Sequence, residues 1–178
     1  HYGKVLNCFT RFFVQNEESR RLLATIGIHD VDVVGDTRFD RVLQIKEAAK
    51  QLPIVESFVQ GTADGKRAKV FVAGSSWLPD EEIFIPFFNK HKDWKLIIAP
   101  HVIGEDHLKQ IDQLLDRKTV RYTQATEATA SEADCLLIDC FGLLSSVYHY
   151  GDISYVGGGF GVGIHNVLEA AVWDMPVI

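Results

Sequence analysis

The chain has 178 residues, of which 47% are hydrophobic and 24% charged, and its formal net charge at pH 7 is −6. This length suits one ordinary domain or one lobe of a larger protein, and no apolar run approaches the roughly 18 residues of a membrane-spanning helix. The acidic balance argues against nucleic acid as a partner, and the three cysteines have the spacing of neither a zinc site nor a disulfide framework.

Short apolar runs alternate with helical patterns along the chain. Runs of strand length begin at residues 12, 31, 69, 95, 119, 135, 153 and 176. Helical spacing covers 17–27, 41–52, 80–91, 105–117, 142–151 and 166–173. The segments 59–69 and 124–133 are predicted as loops. Gly27 suits the position just past a helix end, and Pro53 is interpreted as the point where the second helical pattern stops.

The apolar runs are near-continuous rather than alternating, which is typical of strands covered on both faces. Strand followed by helix, repeated this often, predicts an α/β fold with a Rossmann-like, mostly parallel sheet and helices on both faces. Ligands bind such sheets beyond the carboxyl ends of the strands. The candidate site is therefore sought in the loops that follow the strands.

Small, hydroxyl and imidazole side chains follow four of the predicted strands. Ser75 follows "KVFVAG", His101 follows "KLIIAP", and Gly142 follows "CLLIDC" by two residues. The fourth strand, "ISYV", leads into the glycine-rich stretch 157–163. Small side chains leave space at the strand ends, and hydroxyl and imidazole groups form hydrogen bonds, so this pattern favours a binding site for a polar ligand.

The stretch "GGGFGVGIHN", residues 157–166, has two readings. Glycines let backbone N–H groups approach a phosphate, and the start of a following helix adds unsatisfied donors, so the stretch suits an anion cradle. Equally, it suits a chain reversal that needs room. Neither G-x-G-x-x-G nor the P-loop pattern occurs, which argues against a dinucleotide dehydrogenase and a P-loop nucleotidase.

Three further residues each have a structural and a functional reading. Asn166 and Glu169 either cap the helix that starts there, or Glu169 accepts hydrogen bonds from ribose hydroxyls. Arg38, in "GDTRFD", either faces a phosphate or serves the local turn. "GEDH" at 104–107 has no partner ligands at helical spacing, so an acidic helix start is predicted there and no metal site.

Several motifs, taken together and in order, resemble the 3-deoxy-D-manno-octulosonic acid (Kdo) transferases of lipid A biosynthesis. They are "VQNEESRRLLATIG", "VVGDTRFDRV", "FVAGSSWLPDEE", "LIIAPH", "CLLIDCFGLLSSVYHYGDISYVGGGFG" and "GIHNVLEAAVWDMPVI". The resemblance covers the chain from about residue 12 to its end. It implies the C-terminal lobe of a two-lobed glycosyltransferase B (GT-B) fold. Residues 1–30 are then expected to end the N-terminal lobe, and 31–178 to form a C-terminal nucleotide-sugar lobe truncated at its end.

The resemblance implies that the lobe grips the donor CMP-Kdo, with the cytidine at Pro100 and His101. It places backbone contacts at Gly142, Leu143 and Leu144, and ribose and phosphate contacts at Asn166, Val167, Leu168 and Glu169. Ser75 would line the donor cleft. Gly158, Gly159 and His165 of the glycine-rich stretch complete the predicted donor contacts, with Arg38 as a further candidate.

The resemblance also implies that the general-base carboxylate and the membrane-associating segment lie in the N-terminal lobe. We therefore expect this chain to contain no catalytic residue and to need no cofactor or metal. The fragment is expected to be soluble and inactive alone. The parent enzyme is expected at the cytoplasmic face of the bacterial inner membrane, where it acts on a lipid A precursor. Other interpretations stay open: a UDP-sugar glycosyltransferase or epimerase, a non-catalytic nucleotide-binding module, or a purely structural lobe.

Overall fold

The computed structural model describes residues 5–60, 66–161, 163 and 167–178, with residues 39 and 41 as backbone only. The contacts between residues divide the chain into two compact units, His1–Gln44 and Ile45–Ile178. Each unit has a parallel sheet of its own. The predicted boundary between residues 30 and 31, which concerned the lobes of a longer protein, stays a prediction.

The first unit contains two short parallel strands joined by a helix. Strand β1, Phe12–Val14, pairs with β2, Val31–Val33, and helix α1, Glu17–Thr25, connects them. The side chain of Asn16 caps α1 by accepting a hydrogen bond from the Ser19 N–H at 2.9 Å. Helix α2 comprises Thr37–Glu47.

A five-stranded, all-parallel sheet forms the second unit. In the order in which they lie side by side, its strands are β5 (Thr119–Arg121), β6 (Cys135–Leu137), β4 (Trp94–Pro100), β3 (Lys69–Ser76) and β7 (Ile153–Val156). The helices of its described part are α3 (Pro53–Gln60), α4 (Leu78–Lys90), α5 (Glu105–Leu114), α6 (Glu127–Ser131), α7 (Leu144–Tyr148) and α8 (Leu168–Ala171). The predicted last strand appears as a single parallel bridge between Ser154 and Val177.

Strand β4 shows why the apolar runs are continuous. Ile97 belongs to one hydrophobic core cluster, and its neighbours Leu96 and Ile98 belong to the other. All three side chains are fully buried. Successive side chains of a strand point to opposite faces, so a sheet covered on both faces needs apolar residues at every position. The predicted α/β architecture is confirmed.

Two helices lie where the sequence patterns predict none. Helix α3 begins at Pro53, because proline lacks an N–H that the first helical position does not need, and its preset φ suits the helix. Helix α6 lies in the predicted loop 124–133, where Thr126 accepts a hydrogen bond from the Thr129 N–H at 3.2 Å. Across the described residues, none of the helices has the length and apolar character needed to cross a membrane.

Candidate functional site

The strand order places a crevice at the carboxyl ends of β3 and β7. The chain passes from β3 to β4 on one side of β3, whereas β7 lies on the other side and pairs onward with Val177. Two adjacent strands whose connections leave in opposite directions open a crevice beyond their carboxyl ends, and ligands bind α/β sheets there. The loops after β3, β4, β6 and β7 all end at this edge.

A cavity of about 350 Å³ lies at this edge, and we call it the strand-end cavity. Five of the predicted site residues line it together: Ser75, Pro100, His101, Gly142 and Leu144. Four lining residues were not among the predicted ones: Ala99, Ile138, Cys140 and Phe141. Ala99 and Phe141 adjoin predicted residues in the chain, and Cys140 lies two residues before Gly142, so extending the search by two residues would have found these three but not Ile138.

An irregularity at the end of β3 brings Ser75 to the cavity. The pairing of β3 with β4 shifts register between Gly74 and Ser76, and the Ser75 between them has φ +52°. A non-glycine residue in this left-handed region is uncommon and costs backbone energy, so the surrounding structure must hold it. One such restraint is the hydrogen bond from the His101 N–H to Ser76 O, at 2.9 Å.

The imidazole of His101 has an aromatic neighbour. The indole of Trp77 stacks on it, with ring centroids 4.6 Å apart and planes inclined by 23°. Stacking of this kind limits the orientations open to an exposed histidine. Trp77 therefore orients His101 at the mouth of the strand-end cavity.

The loop after β6 forms the opposite wall. Phe141 is 76% exposed, and Gly142 has φ +82° with no atom within 4 Å of the position a Cβ would take. This backbone conformation favours glycine, so the glycine serves the turn that exposes the Phe141 ring. Cys140 is half-buried, and that burial raises the pKa of its thiol, which keeps the sulfur uncharged.

Below the cavity, Gly74 of β3 makes room for a buried tyrosine. A Cβ at this position would overlap the Tyr148 hydroxyl and lie 2.7 Å from Leu144 Cδ1. Burial raises the pKa of Tyr148, and the negative charge of Glu169 raises it further. Glu169 therefore lies close enough to Tyr148 for its charge to affect that hydroxyl.

The glycine-rich stretch adjoins a second, smaller cavity of about 180 Å³. Its lining consists of Trp77, Pro79, Asp80, Gly158, Phe160 and Gly161. Gly157 stands where two segments pack closely, because a Cβ there would overlap Ser75 O and lie 2.6 Å from Ser76 Cα. The Gly158 N–H, proposed from sequence as a phosphate donor, donates to Asp80 Oδ2 at 3.2 Å.

The other predicted site residues lie apart from the lining of both cavities in the described ranges. Leu143 is half-buried and packs against the hydrophobic core, Gly159 and Val167 are exposed, and Leu168 and Glu169 are half-buried. His165 and Asn166 lie outside the described residues. Arg38 belongs to the first unit, where its guanidinium and backbone N–H donate to the Asp36 carboxylate, the side-chain bonds measuring 2.5–3.0 Å.

Two consecutive buried acidic residues, Asp80 and Glu81, lie in the first turn of helix α4. Glu81 is fully buried, accepts a hydrogen bond from Ser76 Oγ at 2.8 Å, and lies 3.2 Å from His107 Nε2. Burial raises the pKa of Glu81. His107, which sequence reasoning left without a role, thus contacts the helix that follows β3. Among the described residues, no three His, Cys, Asp or Glu side chains form a group able to hold a metal ion.

Comparison with known proteins adds the following similarities. No family model matches the chain. It is 29% identical, over 94% of its length, to a bifunctional glycosyltransferase/methyltransferase of Fusobacterium nucleatum, and 25% identical, over 98%, to a 3-deoxy-D-manno-octulosonic acid transferase of Rickettsia prowazekii. The identity to the transferase of that name from Aquifex aeolicus is 32% over 63% of the chain. The chain spans only 26%, 37% and 32% of these relatives, respectively.

One solved structure shares the fold. It is the C-terminal CMP-Kdo binding domain of WaaA from Acinetobacter baumannii, with a TM-score of 0.57 and 22% identity, and the match covers 78% of this chain and 69% of that one. The α/β fold expected of a GT-B C-terminal lobe is thereby confirmed. The resemblance to the Kdo transferases, first seen in the motifs, extends over nearly the whole chain.

Proposed function

We propose that the chain forms the donor-binding lobe of a Kdo transferase, and that it binds CMP-Kdo for transfer of the sugar to a lipid A precursor. The observation that carries this proposal is the strand-end cavity, where residues from the ends of β3, β4 and β6 meet although they are far apart in the sequence. The cavity lies beyond the carboxyl ends of parallel strands, where α/β sheets bind ligands, and the relatives and the structural neighbour named above supply the ligand class.

The chemistry of the cavity suits a nucleoside monophosphate. Its volume of about 350 Å³ lies within the range of small-molecule sites. Pro100 and the Phe141 ring offer apolar surface for a planar base, whereas Ser75 and His101 offer a hydroxyl and an imidazole for polar atoms.

Transfer of Kdo requires CMP to leave as a phosphate anion, so stabilising the developing charge is the contribution that this lobe makes. In our proposal, the imidazole of His101 contributes this stabilisation. None of the described lining residues is a carboxylate. The resemblance to the Kdo transferases leads us to assign deprotonation of the acceptor hydroxyl to the N-terminal lobe. We expect the whole enzyme at the cytoplasmic face of the inner membrane.

Titration calorimetry with CMP, UMP, UDP and NAD tests the proposal directly. We expect CMP to bind most tightly. A clear preference for UDP would point to a different sugar-nucleotide enzyme, and the absence of binding by all four would point to a structural role.

Two histidines provide a matched pair of variants. His101 stacks on Trp77 at the strand-end cavity, and His149 packs on Trp173 with ring centroids 4.5 Å apart. Both are exposed, and only His101 lines the cavity in the described part of the chain. We expect His101→Ala to weaken CMP binding by roughly tenfold, as for the loss of one or two polar contacts, and His149→Ala to leave it unchanged.

A further inference from the structure

The carboxylate of Asp80 joins two loops of the candidate site. Asp80 is 1% exposed. Oδ2 accepts hydrogen bonds from the Trp77 N–H at 2.8 Å and from the Gly158 N–H at 3.2 Å, and Oδ1 accepts one from the Tyr155 hydroxyl at 2.6 Å. One buried group thus connects the turn after β3, the end of β7 and the glycine-rich stretch.

These bonds fix backbone that shapes both cavities. The bond at Trp77 holds the backbone directly after β3, whose end carries Ser75 of the strand-end cavity, and Trp77 itself carries the indole that orients His101. Gly158 and Trp77 line the smaller cavity. Because Asp80 is buried and both N–H groups share its Oδ2, the two loops keep a fixed position relative to each other only while this side chain is in place.

We propose that Asp80 is a positioning residue of the donor site, which holds the turn after β3 and the start of the glycine-rich stretch in the arrangement that binds the nucleotide. This inference rests on the proposed function, and it adds a residue that makes no contact with the nucleotide itself. It also gives the Gly158 N–H a different role from the phosphate contact expected from sequence: the group supports the site through Asp80.

The same pair of strands provides a control at its opposite end. There the Asp152 carboxylate accepts a hydrogen bond from the Val70 N–H of β3 at 2.8 Å and pairs with Arg67 at 2.7 Å. Removing it also deprives a strand N–H of a carboxylate acceptor, but at the amino ends of β3 and β7. Asp152→Ala therefore reports what a general loss of stability does to CMP binding.

The experiment compares Asp80→Ala, Asp80→Asn and Asp152→Ala with the unchanged chain, by CMP calorimetry and by amide hydrogen exchange of the free protein. In Asp80→Ala we expect CMP affinity to fall at least roughly tenfold, and exchange at Trp77 and Gly158 to accelerate by at least about tenfold, because both N–H groups lose their acceptor. Asp152→Ala should stay within about twofold of the unchanged affinity. Asp80→Asn retains an acceptor oxygen and should stay within about threefold.

Unchanged CMP affinity in a folded Asp80→Ala variant would overturn the inference, as would an equal loss of affinity in Asp152→Ala. If Asp80→Ala does not fold, amide exchange at Gly158 in Asp80→Asn tests the inference instead. The neutral amide is a weaker acceptor than the carboxylate, so we expect exchange at Gly158 to be roughly threefold faster. An unchanged exchange rate would refute the role of Asp80. If the unchanged chain does not bind CMP, the proposed function fails. The exchange data on the free protein then still show whether Asp80 holds the two loops.

Discussion

Replacing Gly157 by alanine would place a methyl group where the end of β7 meets the end of β3. Its Cβ would overlap Ser75 O and lie 2.6 Å from Ser76 Cα and 2.8 Å from Asp80 Oδ2. The first two neighbours are backbone atoms, which cannot rotate away as the end of a flexible side chain does. Relief therefore requires the strand ends to separate by about 1 Å, until the atoms reach ordinary van der Waals contact.

Such a separation breaks hydrogen bonds at the site. The Gly157 N–H donates to Gly74 O at 2.9 Å, and the Gly158 N–H donates to Asp80 at 3.2 Å. Two lost bonds at about 1 kcal/mol each, together with about 2 kcal/mol of packing strain, predict that Gly157→Ala lowers the free energy of unfolding by about 4 kcal/mol. For a unit of this size, the expected fall in Tm is roughly 15 °C.

Urea unfolding followed by circular dichroism measures this loss, and Gly142→Ala is the control. Gly142 has φ +82° but no atom within 4 Å of a Cβ, so its substitution should cost only about 1 kcal/mol of backbone strain. A cost for Gly157→Ala no greater than that of Gly142→Ala would refute the steric reasoning. Retention of the exchange protection of Gly158 in Gly157→Ala would refute it as well.

Three further changes test other parts of the structure. Burial raises the pKa of Glu81, so the native state binds this proton more tightly than the unfolded chain, and stability falls as pH rises from the ordinary glutamate pKa through the raised one. Glu81→Gln should remove that fall in urea titrations between pH 4.5 and 8. Lys95→Met should lower the free energy of unfolding by about 3 kcal/mol, because the buried ammonium donates to Phe58 O at 2.8 Å and Ser131 O at 3.0 Å. If Glu169 holds ribose, Glu169→Gln should weaken CMP binding roughly tenfold in calorimetry without changing Tm.

Each of these three has an outcome that contradicts it. An unchanged pH dependence in Glu81→Gln would mean that the carboxylate titrates in the native state as it does in the unfolded chain. A Lys95→Met variant as stable as the unchanged chain would mean that the ammonium does not stabilise the carbonyls it contacts. An equal fall in Tm with and without CMP would assign Glu169 to the helix start alone.

The sequence predicted the strands well because their pattern reflects local chemistry. The continuous apolar run of β4 is required by burial on both faces, so it is visible without any knowledge of neighbouring strands. It also identified residues at strand ends, and five of them line one cavity. The sequence analysis took Pro53 as the end of a helix, whereas α2 ends at Glu47 and Pro53 occupies the first position of α3, which its missing N–H and preset φ suit.

The candidate site itself required the strand order. Sequence places Ser75 and Gly142 each after a strand, but the pairing of β4 with both β3 and β6 brings these ends together. The bond from Gly158 to Asp80 joins residues 78 positions apart, and no local pattern predicts such a contact. The stack of Trp77 on His101 depends likewise on the neighbouring positions of β3 and β4.

The sequence by itself determined the class of fold, the positions of most strands and the resemblance to the Kdo transferases, because burial pattern and motif order are properties of the chain alone. Only the tertiary structure decided which strand ends share a cavity, why Gly157 has no side chain, and what the Gly158 N–H contacts. These depend on distances between segments remote in sequence, which the order of the strands in the sheet sets.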